Sequence, residues 1–549
     1  GTQADARIEL RMSPSDVSTV QNISWVTNVR PVLRPEPAHT HTDIPGSSDG
    51  ESLGVQQAHQ SGITGEDVEV GIIDFGFDTD NPAIASNVVN TRSFRSSEGD
   101  SAHGTSVAEI MVETAPDAQL SLVSVSTATD IEAAIDYLTR QDVDIIVQSQ
   151  GVYGIEDDGD HRFTDDINAA TGSGTLYVNS AGNAAQTHWE GEFRDADGDD
   201  FHEWTTSGDE LNALPDSNSD FSGGKVTVFV QWEDDGDFSN YKPYLYNPVT
   251  EEYIAEGETF AETTNKYARL SAEVNPQPLS LVIVHTEGPA NDEVEVIFKS
   301  GPQDIERNIP VSSITAPADV PATVSVAAYE VGSRQLAPYS SRGPTDDGQT
   351  GIDVTGYTNI QVGNGLYGSE EFVFTGTSAA APYIGGVAAL VEDDQPGDQS
   401  PTELTSTLKS SSDDILDPGT DTASGSGVVN AAGAVDVPET PPSVEVDVDP
   451  TDLSGDGTES NPYEISNASE LQAMEDDLTA NYQLVSNINA SNTAQWKTHL
   501  MRVLRWPSVG HWMGTVSQSP DSRLIDQLAP SDFRLAQLDF SGQLMKKHF

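Results

Sequence analysis

The chain has 549 residues, too many for one ordinary core, and this length predicts roughly three or four domains. Its formal net charge is -64, from 89 acidic and 25 basic residues. Such an excess of acid argues against nucleic-acid and anionic-membrane partners, which need a basic surface. There is no cysteine, so disulfides and a thiol nucleophile are excluded.

The acidity extends along the chain as far as Trp496. In molar salt the Debye length is about 3 Å, so the repulsion between so many carboxylates would be screened. The composition therefore favours a halophile-type protein, with a calcium-rich cell-surface protein as the alternative. No run of about eighteen apolar residues is present, so no transmembrane segment is expected. No signal sequence is visible in the chain. The two interpretations are that it was removed or that it lies upstream of this sequence.

The chain divides by pattern into six parts. Residues 1–50 read as an N-terminal segment ending in a linker. Strands alternate with helices over residues 51–194 and again over 308–436, which predicts one parallel sheet flanked by helices, an α/β fold. Between them, residues 195–307 show period-two strands, which predict an inserted all-β domain of sandwich or jelly-roll type. Residues 437–496 read as a linker and a small α/β module.

The last part, residues 497–549, differs in composition from the rest. It holds seven Lys and Arg against four Asp and Glu, whereas the preceding residues hold eighteen against eighty-five. A basic partner-binding tail would explain this change, but a shifted reading frame or a mis-joined gene end explains it more simply. No function is assigned to the tail.

Polar residues follow or open several of the predicted elements. Asp74 ends the strand in DVEVGIID, where an α/β sheet places its ligands, although a strand-end turn former is the alternative. His103 opens the helix AHGTSVAEIMVE, and a lone histidine at a helix start is usually a polar cap. Asn183 follows the strand TLYVNSAGN and reads either as a left-handed turn residue or as an amide donor to a transition-state oxygen.

The stretch FTGTSAAAPYIGGVAALV, residues 374–391, turns from a strand or loop into a buried helix with Ser378 at its start. An N-cap is the simpler interpretation of this serine. The alternative is a nucleophile, because unpaired first-turn N–H groups and the helix dipole would stabilise negative charge beside it.

The inserted region also contains a candidate calcium site. Four acidic residues follow an alternating spacing that hard cations favour: Asp195, Asp197, Asp199 and Glu203. A second group, Glu233 to Asp237, crowds one turn. In a chain this acidic, solvated surface carboxylates are the competing explanation for both.

Taken together, GIIDFGFD, HGTSVAEI, NSAGN and GTSAAAP closely resemble the motifs of the subtilisin-like serine proteases, in the same order along the chain. The resemblance covers roughly residues 53–183 and 317–435. It implies a subtilisin-like fold, with Ser378 as nucleophile, His103 as general base and Asp74 as the acid that orients it. The oxyanion hole would be the Asn183 amide and the Ser378 N–H.

The resemblance also implies a substrate-binding strand, Ser149-Gln150-Gly151, where the family usually has Ser-Leu-Gly. Other departures are Ser106 after HGT, Ala379 after the nucleophile, and the inserted β domain. None removes a catalytic group, but Gln150 makes a transferred specificity unsafe. The end of the N-terminal segment, ISWVTNVRPVLRPEPA, looks like the end of the family's inhibitory and folding segment.

The expected function is that of a secreted, salt-adapted serine endopeptidase, extracellular or at the cell surface. It would act as a monomer on peptides or proteins. The chemistry would require no cofactor, and calcium would have a structural role only. The alternative is a catalytically silent surface protein that binds through the β insert.

Overall fold

A computed structural model describes residues 32–37, 54–95, 102–155, 158–215, 220–232, 239–260, 266–363, 372–395, 399–416 and 418–435, with residue 20 and the short stretches 454–455, 458, 463–465 and 482–484. The expected tail, most of the N-terminal segment and the helix of the small C-terminal module lie outside the described residues. By compactness the chain forms one unit over residues 1–437 and a second over 438–549. In the second, β24 (Tyr463–Ile465) and β25 (Tyr482–Leu484) pair in parallel.

The first unit is built on a ten-stranded sheet. Its strands before the insert are β2 (Glu69–Asp74), β3 (Val88–Ser93), β4 (Gln119–Ser124), β5 (Ile145–Gln148) and β7 (Leu176–Ser180). Those after it are β17 (Thr323–Glu330), β18 (Gln335–Leu336), β19 (Val354–Thr358), β22 (Ser412–Asp413) and β23 (Val428–Val429). The order is β22-β23-β19-β17-β7-β5-β2-β4-β3, with β18 against β17. All neighbours are parallel except the β22–β23 and β17–β18 pairs.

Seven described helices accompany this sheet. They are α1 (Val55–Gln60), α2 (Ala102–Thr114), α3 (Ala128–Gln141), α4 (Thr164–Ser173), α5 (Thr377–Asp394), α6 (Pro401–Ser410) and α7 (Ala431–Ala434). Successive strand residues point to opposite faces, so Ile72 joins a core with α2, α5 and α6, while Ile73 joins another with α3 and α4. The predicted α/β fold with helices on both faces is confirmed.

Two helix starts differ from the simplest sequence interpretation. The sequence predicts Asp130 as the cap of the helix DIEAAIDYLTR, but the cap is Thr127, whose hydroxyl accepts the N–H of Asp130, so the helix begins at Ala128. The helix of the GTS stretch begins at Thr377 after the cap residue Gly376, which has φ 109° and no side-chain cap. Ser378 therefore lies inside the first turn, and the N-cap interpretation of it is wrong because a conformation available to glycine makes the turn two residues earlier, at Gly376.

The predicted insert, together with residues 188–192 just before it, forms two antiparallel sheets. Their strands are β8 (His188–Glu192), β9 (Asn212–Ala213), β10 (Gly224–Trp232), β11 (Asn240–Asn247), β12 (Glu252–Glu256), β13 (Glu258–Phe260), β14 (Lys266–Val274), β15 (Ser280–Glu287) and β16 (Glu293–Ser300). One sheet has the order β13-β14-β10-β16-β8 and the other β12-β11-β15-β9. Val228 and Val230 of the first share a core with Leu245 and Ile283 of the second. This is a β-sandwich, as predicted, although its domain limits remain a prediction.

The outer face of the five-stranded sheet packs against the α/β part. Phe229, Tyr267 and Ile297 are buried in the same apolar cluster as residues of α3 and α4. Because successive side chains of β10 point to opposite faces of the sheet, Phe229 packs against the α/β part. Its neighbours Val228 and Val230 pack inside the sandwich.

Three shorter strands complete the first unit. β20 (Ile360–Val362) pairs with β21 (Phe372–Phe374), which leads into α5. β1 (Glu36–Pro37) pairs antiparallel with β6 (Gln150–Gly151). Among the described residues, no helix is long and apolar enough to cross a membrane.

Helix α5 lies unusually close to its neighbours because two glycines face them. A methyl group on Gly386 would lie 2.4 Å from Cβ of Thr114 in α2, and one on Gly385 would lie 2.4 Å from Cγ2 of Val147 in β5. Contacts below 3.0 Å force a shift of the neighbour, so this helix can approach α2 and the sheet only without side chains at these positions.

We expect Gly386→Ala to lower the free energy of unfolding by about 1–3 kcal/mol, the usual cost of overpacking a core. The matched control is Gly172→Ala in α4, where an added methyl group meets nothing within 4 Å. It should stabilise the chain slightly, by up to about 1 kcal/mol, because alanine favours a helix over glycine. Urea unfolding of both variants checks this, and a Gly386→Ala chain as stable as the control would contradict the packing argument.

Candidate active site

The three predicted catalytic residues are connected by hydrogen-bond contacts. Asp74 ends β2, His103 is the second residue of α2, and Ser378 is the second residue of α5. Nδ1 of His103 is 2.9 Å and 2.8 Å from the two carboxylate oxygens of Asp74, and its Nε2 is 3.1 Å from Oγ of Ser378. The structure therefore brings an acid, an imidazole and a hydroxyl, each distant in sequence, within hydrogen-bond reach of one another.

These contacts are shielded from solvent. Asp74 and Ser378 are fully buried and His103 is 5% exposed. Phe75 and Phe374 flank the imidazole, each in an edge arrangement, with ring centroids 5.8 Å and 5.2 Å from it. With a carboxylate at Nδ1, the proton of a neutral imidazole is best placed on that nitrogen, so Nε2 is left as an acceptor facing the serine.

The backbone N–H of Phe75 donates to Asp74 Oδ1 at 2.6 Å, which helps to hold the carboxylate in place. Close packing of the helix start serves the same end. A methyl group on Gly104 would lie 2.3 Å from the carbonyl oxygen of Gly76 and 2.9 Å from Cβ of Asp74. The glycine of the HGT motif therefore allows the helix that carries His103 to lie directly on the turn after β2.

Ser378 and Ser149 make a reciprocal pair of hydrogen bonds. Oγ of Ser378 donates to the carbonyl oxygen of Ser149 at 2.9 Å, and Oγ of Ser149 donates to the carbonyl oxygen of Ser378 at 3.1 Å. The second bond has a cause in the sequence. Pro382 lies four residues after Ser378 inside α5 and has no N–H, so the Ser378 carbonyl lacks its usual helical partner.

The hydroxyl of Ser378 carries one proton and has two acceptors within reach, the carbonyl of Ser149 and Nε2 of His103. The hydrogen bond to Ser149 is compatible with a resting state, because a rotation of the O–H bond alone redirects the proton to the imidazole. The Ser378 hydroxyl can therefore either donate a hydrogen bond to the Ser149 carbonyl or give up its proton to His103, which then acts as a base.

Asn183 lies at the start of the same helix. Its Oδ1 accepts the backbone N–H and the hydroxyl of Thr377, both at 3.0 Å. This fixes the orientation of the amide and leaves Nδ2, which has no partner among the described residues, free to donate. The N–H of Ser378 is in the first turn of α5, where helix N–H groups lack internal acceptors. The Asn183 amide and the Ser378 N–H, the two predicted oxyanion donors, therefore both lie at the start of α5.

Several residues that support this site were missed from the sequence. Thr377 orients Asn183, and its own hydroxyl accepts the N–H of Gly182 at 3.2 Å. The N–H of Gly376 donates to the hydroxyls of Tyr339 at 3.1 Å and Thr358 at 2.9 Å. Burial raises the pKa of Tyr339 to about 12, so it is a neutral phenol at ordinary pH. Of these residues, only Thr377 could have been recognised from the sequence, because it is the middle residue of the GTS motif.

The helix that carries His103 also buries a carboxyl group. Glu109 is 2% exposed and accepts a hydrogen bond from Nδ2 of Asn81 at 2.6 Å. Burial raises its pKa to about 7, against the lowering effect of hydrogen bonds from Asn81 and the backbone of Gly363. Within the part of the chain that the structure describes, its hydrogen bonds are with Asn81 and the backbone of Gly363 and not with Asp74 or Ser378.

The predicted substrate-binding residues form the strand next to this site. Ser149 contacts the nucleophile, and Gln150 and Gly151 make up β6. Gln150 is fully buried, and neither its amide oxygen nor its amide nitrogen has a hydrogen-bond partner among the described residues. A buried carboxamide of this kind costs free energy until it is paired, a cost that the leucine usual in the family would not have.

The predicted metal site is assembled in part. Ligand oxygens of Asp195, Asp197 and Asp199 lie within 4.8 Å of one another. Glu203 is engaged elsewhere, since its Oε2 is 3.2 Å from Nε of Arg194 and its Oε1 accepts the N–H of Ala196.

Three carboxylates suit a hard cation such as calcium. However, the oxygens of Asp195 already accept the N–H groups of Gly198, Asp199 and Asp200, so the turn is satisfied without an ion. Calcium at this turn remains a prediction. The second acidic group, Glu233 to Asp237, lies outside the described residues.

Comparison with known proteins agrees with this arrangement. The model of the subtilase family (Peptidase_S8) matches residues 65–279 and 305–427. Subtilisin-like protease SBT2.3 of Arabidopsis thaliana is 27% identical over 206 residues, which cover 30% of this chain and 24% of that protein. The match thus spans about a quarter of that relative's length.

Solved structures are similar at lower identity. The Clostridium perfringens CspB protease matches with a TM-score of 0.50 and 14% identity, over 68% of this chain and 93% of that one. A lanthipeptide protease matches with a TM-score of 0.41 and 17% identity, over 70% and 93%. The first likeness concerns the fold alone. Since the family model matches more than half of the residues and spans the segments that carry Asp74, His103, Asn183 and Ser378, the chain belongs to the subtilase family.

Proposed function

We propose that the chain is a secreted serine endopeptidase that hydrolyses peptide bonds through an acyl-enzyme and works in high salt. The observation that carries this proposal is the line of contacts from Asp74 through His103 to Ser378, at 2.8 Å and 3.1 Å. Membership of the subtilase family supports peptide or protein substrates and export from the cell. No cofactor is needed for the chemistry, and we expect a monomer.

The steps follow from the geometry. His103 Nε2 accepts the proton of Ser378 as Oγ attacks the substrate carbonyl, and it later gives that proton to the leaving amine. Asp74 holds the Nδ1–H tautomer and stabilises the imidazolium. The negative oxygen of the tetrahedral intermediate is stabilised by Nδ2 of Asn183 and the N–H of Ser378, beside the buried side chains of Ser378 and His103. Water then hydrolyses the ester.

The nucleophile can be tested by fluorophosphonate labelling of the folded chain in molar salt. We expect one adduct on Ser378, found by mass spectrometry of its peptide, and none in Ser378→Ala. Ser106→Ala is the matched control. Ser106 is equally buried, but its hydroxyl donates to the carbonyl of Ala102, so it should not affect labelling. A folded chain that hydrolyses protein substrates without an adduct on Ser378 would contradict the mechanism.

Asn183→Ala should lower kcat by about 100- to 1000-fold, the usual loss for one oxyanion donor, with a much smaller change in KM. Because Asn183 also holds Thr377, Thr377→Val serves as the comparison. It removes the hydroxyl contacts with Asn183 and Gly182 but keeps the backbone contact with Asn183 and the Nδ2 group, so its effect on kcat reports positioning alone. Steady-state kinetics with a peptide substrate would separate the two, and equal losses would argue against a direct role for Nδ2.

The net charge of -64 supports the proposed adaptation to salt. We expect Tm to rise as KCl is increased from 0.1 M to 2 M, because the Debye length falls from about 10 Å to about 3 Å or less and the carboxylates cease to repel one another. Calorimetry with and without the salt measures this change. A Tm that does not depend on KCl, or that falls with it, would contradict the proposal.

A further inference from the structure

A cavity of about 300 Å³ lies between the inserted sandwich and the loop at residues 344–348. It is lined by the neighbouring strands β8, β10 and β16 and by that loop. Four of the lining residues carry carboxylates: Glu190, Glu293, Glu295 and Asp346. Among the described residues that line the cavity there is no lysine or arginine. Two separate parts of the chain thus contribute negative charge to one cavity.

The register of the sheet places several of these side chains next to one another. Glu295 of β16 pairs with Glu190 of β8 on one side and with Gln231 of β10 on the other. Its neighbours Val294 and Val296 belong to the sandwich core, so Glu295 lies on the opposite face of the sheet. Residues directly opposite one another in antiparallel strands share a face, and like charges in that position destabilise a sheet.

The charges around Glu190 are only partly balanced. Burial and the charges of Asp346 and the two neighbouring glutamates raise the pKa of Glu190 to about 7. The buried ring of His188 donates from Nδ1 to the carbonyl of Ile309 at 2.7 Å, and its Nε2 is 3.3 Å from Oε1 of Glu295. Burial lowers the pKa of His188, but Glu295 outweighs that effect and the net shift is upward. One imidazolium beside four carboxylates leaves the cavity negative.

An unpaired amide oxygen in the same cavity points to a ligand independently of these charges. Gln231 lines the cavity and is 7% exposed, and its Oε1 has no hydrogen-bond partner within the described part of the chain. Its Nε2 is already used, since it donates to Glu295 and to the carbonyl of Ile155 at 3.4 Å. A buried acceptor without a donor costs free energy until it is paired. A cation would pair it and would also offset the neighbouring carboxylates.

We propose that this cavity binds a hard divalent cation, of the size of Ca²⁺, between the inserted sandwich and the loop at residues 344–348. The carboxylates of Glu190, Glu295 and Asp346 and Oε1 of Gln231 hold the ion. Calcium takes about six to eight oxygen ligands in a flexible geometry, which suits donors from separate segments. The cavity is larger than a bare ion, so water completes the coordination shell. This proposal goes beyond the proposed protease function and does not depend on it.

The proposed site differs from the turn of Asp195, Asp197 and Asp199. At the turn, the oxygens of Asp195 already accept three backbone N–H groups. In the cavity, a buried acceptor of Gln231 is left over. The strands that line the cavity belong to the sandwich, which the minimal subtilisin-like fold lacks. The ion would therefore join the sandwich to the α/β part.

The test is calcium binding to the metal-free full chain, measured by isothermal titration calorimetry in 2 M KCl at pH 8, where Glu190 is ionised. Wild type should bind with a Kd of about 1 mM or tighter. Glu190→Gln and Asp346→Asn should each weaken binding by about tenfold or more, the scale for disturbing a metal site. The matched controls are Glu273→Gln, exposed in the same sheet, and Asp347→Asn, beside Asp346 but outside the cavity. Both should bind like wild type.

Thermal unfolding gives a second signature. In 2 M KCl, 10 mM CaCl₂ should raise the Tm of wild type by several degrees, and that of Glu190→Gln by clearly less. Without calcium, Glu190→Gln should be at least as stable as wild type, because one of the opposing charges is gone. Asp346 lies on an exposed loop, so Asp346→Asn tests the same ion without a change inside the sheet.

Two results would overturn the proposal. If wild type binds no calcium, or if Glu190→Gln and Asp346→Asn bind it as wild type does, the carboxylates of the cavity are merely hydrated. If binding is lost in Asp197→Asn but kept in both cavity variants, the ion is at the turn and not in the cavity.

Discussion

The contact between α5 and α2 sets the geometry on which the site depends. His103 and Ser378 are 275 positions apart in sequence and lie on these two helices, so their 3.1 Å separation is fixed by how closely the helices and the sheet approach. Gly386 against Thr114 and Gly385 against Val147 set that approach. Because the interior is close-packed, a shift of one helix by an ångström could not be absorbed elsewhere and would take the hydroxyl out of reach of the imidazole.

At the start of α5, a side-chain hydrogen bond replaces a backbone hydrogen bond that a proline removes. Pro382 deprives the Ser378 carbonyl of its helical donor, and Ser149 supplies a hydroxyl in its place. Meanwhile the carbonyl of Ser149 accepts from Ser378. Ser378 is thus tied through both its backbone and its side chain to Ser149, the residue that precedes β6. The position of its hydroxyl relative to β6 therefore follows from local hydrogen bonding.

The α/β pattern, the inserted sandwich and the residues that meet at the site could all be predicted from the sequence, because each depends on local periodicity or on short motifs around Asp74, His103, Asn183 and Ser378. What could not be predicted depends on distant partners. Pairing of β1 with β6 joins residues more than a hundred positions apart and leaves no local mark in the residues around Glu36. Likewise, the roles of Tyr339 and Thr358 become visible only when the turn at Gly376 is folded against them.

Errors in the sequence interpretation have a common physical cause. Thr127 rather than Asp130 caps α3, and Gly376 rather than Ser378 occupies the cap of α5. Serine, threonine, aspartate and glycine are all acceptable at helix starts, so composition alone leaves the boundary uncertain by a few residues. At α5 the difference matters. A serine in the first turn presents both its hydroxyl and its N–H at the helix end, whereas a serine at the cap would use its hydroxyl to satisfy the helix.

The strands on either side of the insert pair with each other, and this pairing affects how the chain folds. β7 must pair in parallel with β17, Tyr177 beside Thr323, although the whole sandwich separates them in sequence. Contacts of such high sequence separation normally slow folding, because loop entropy is lost before they form. Here β8, the first strand of the sandwich, pairs with β16, the last, with His188 beside Ile297. A sandwich that folds first would bring the two ends together and shorten the effective loop, so the rate at which the central sheet closes would be governed by the insert.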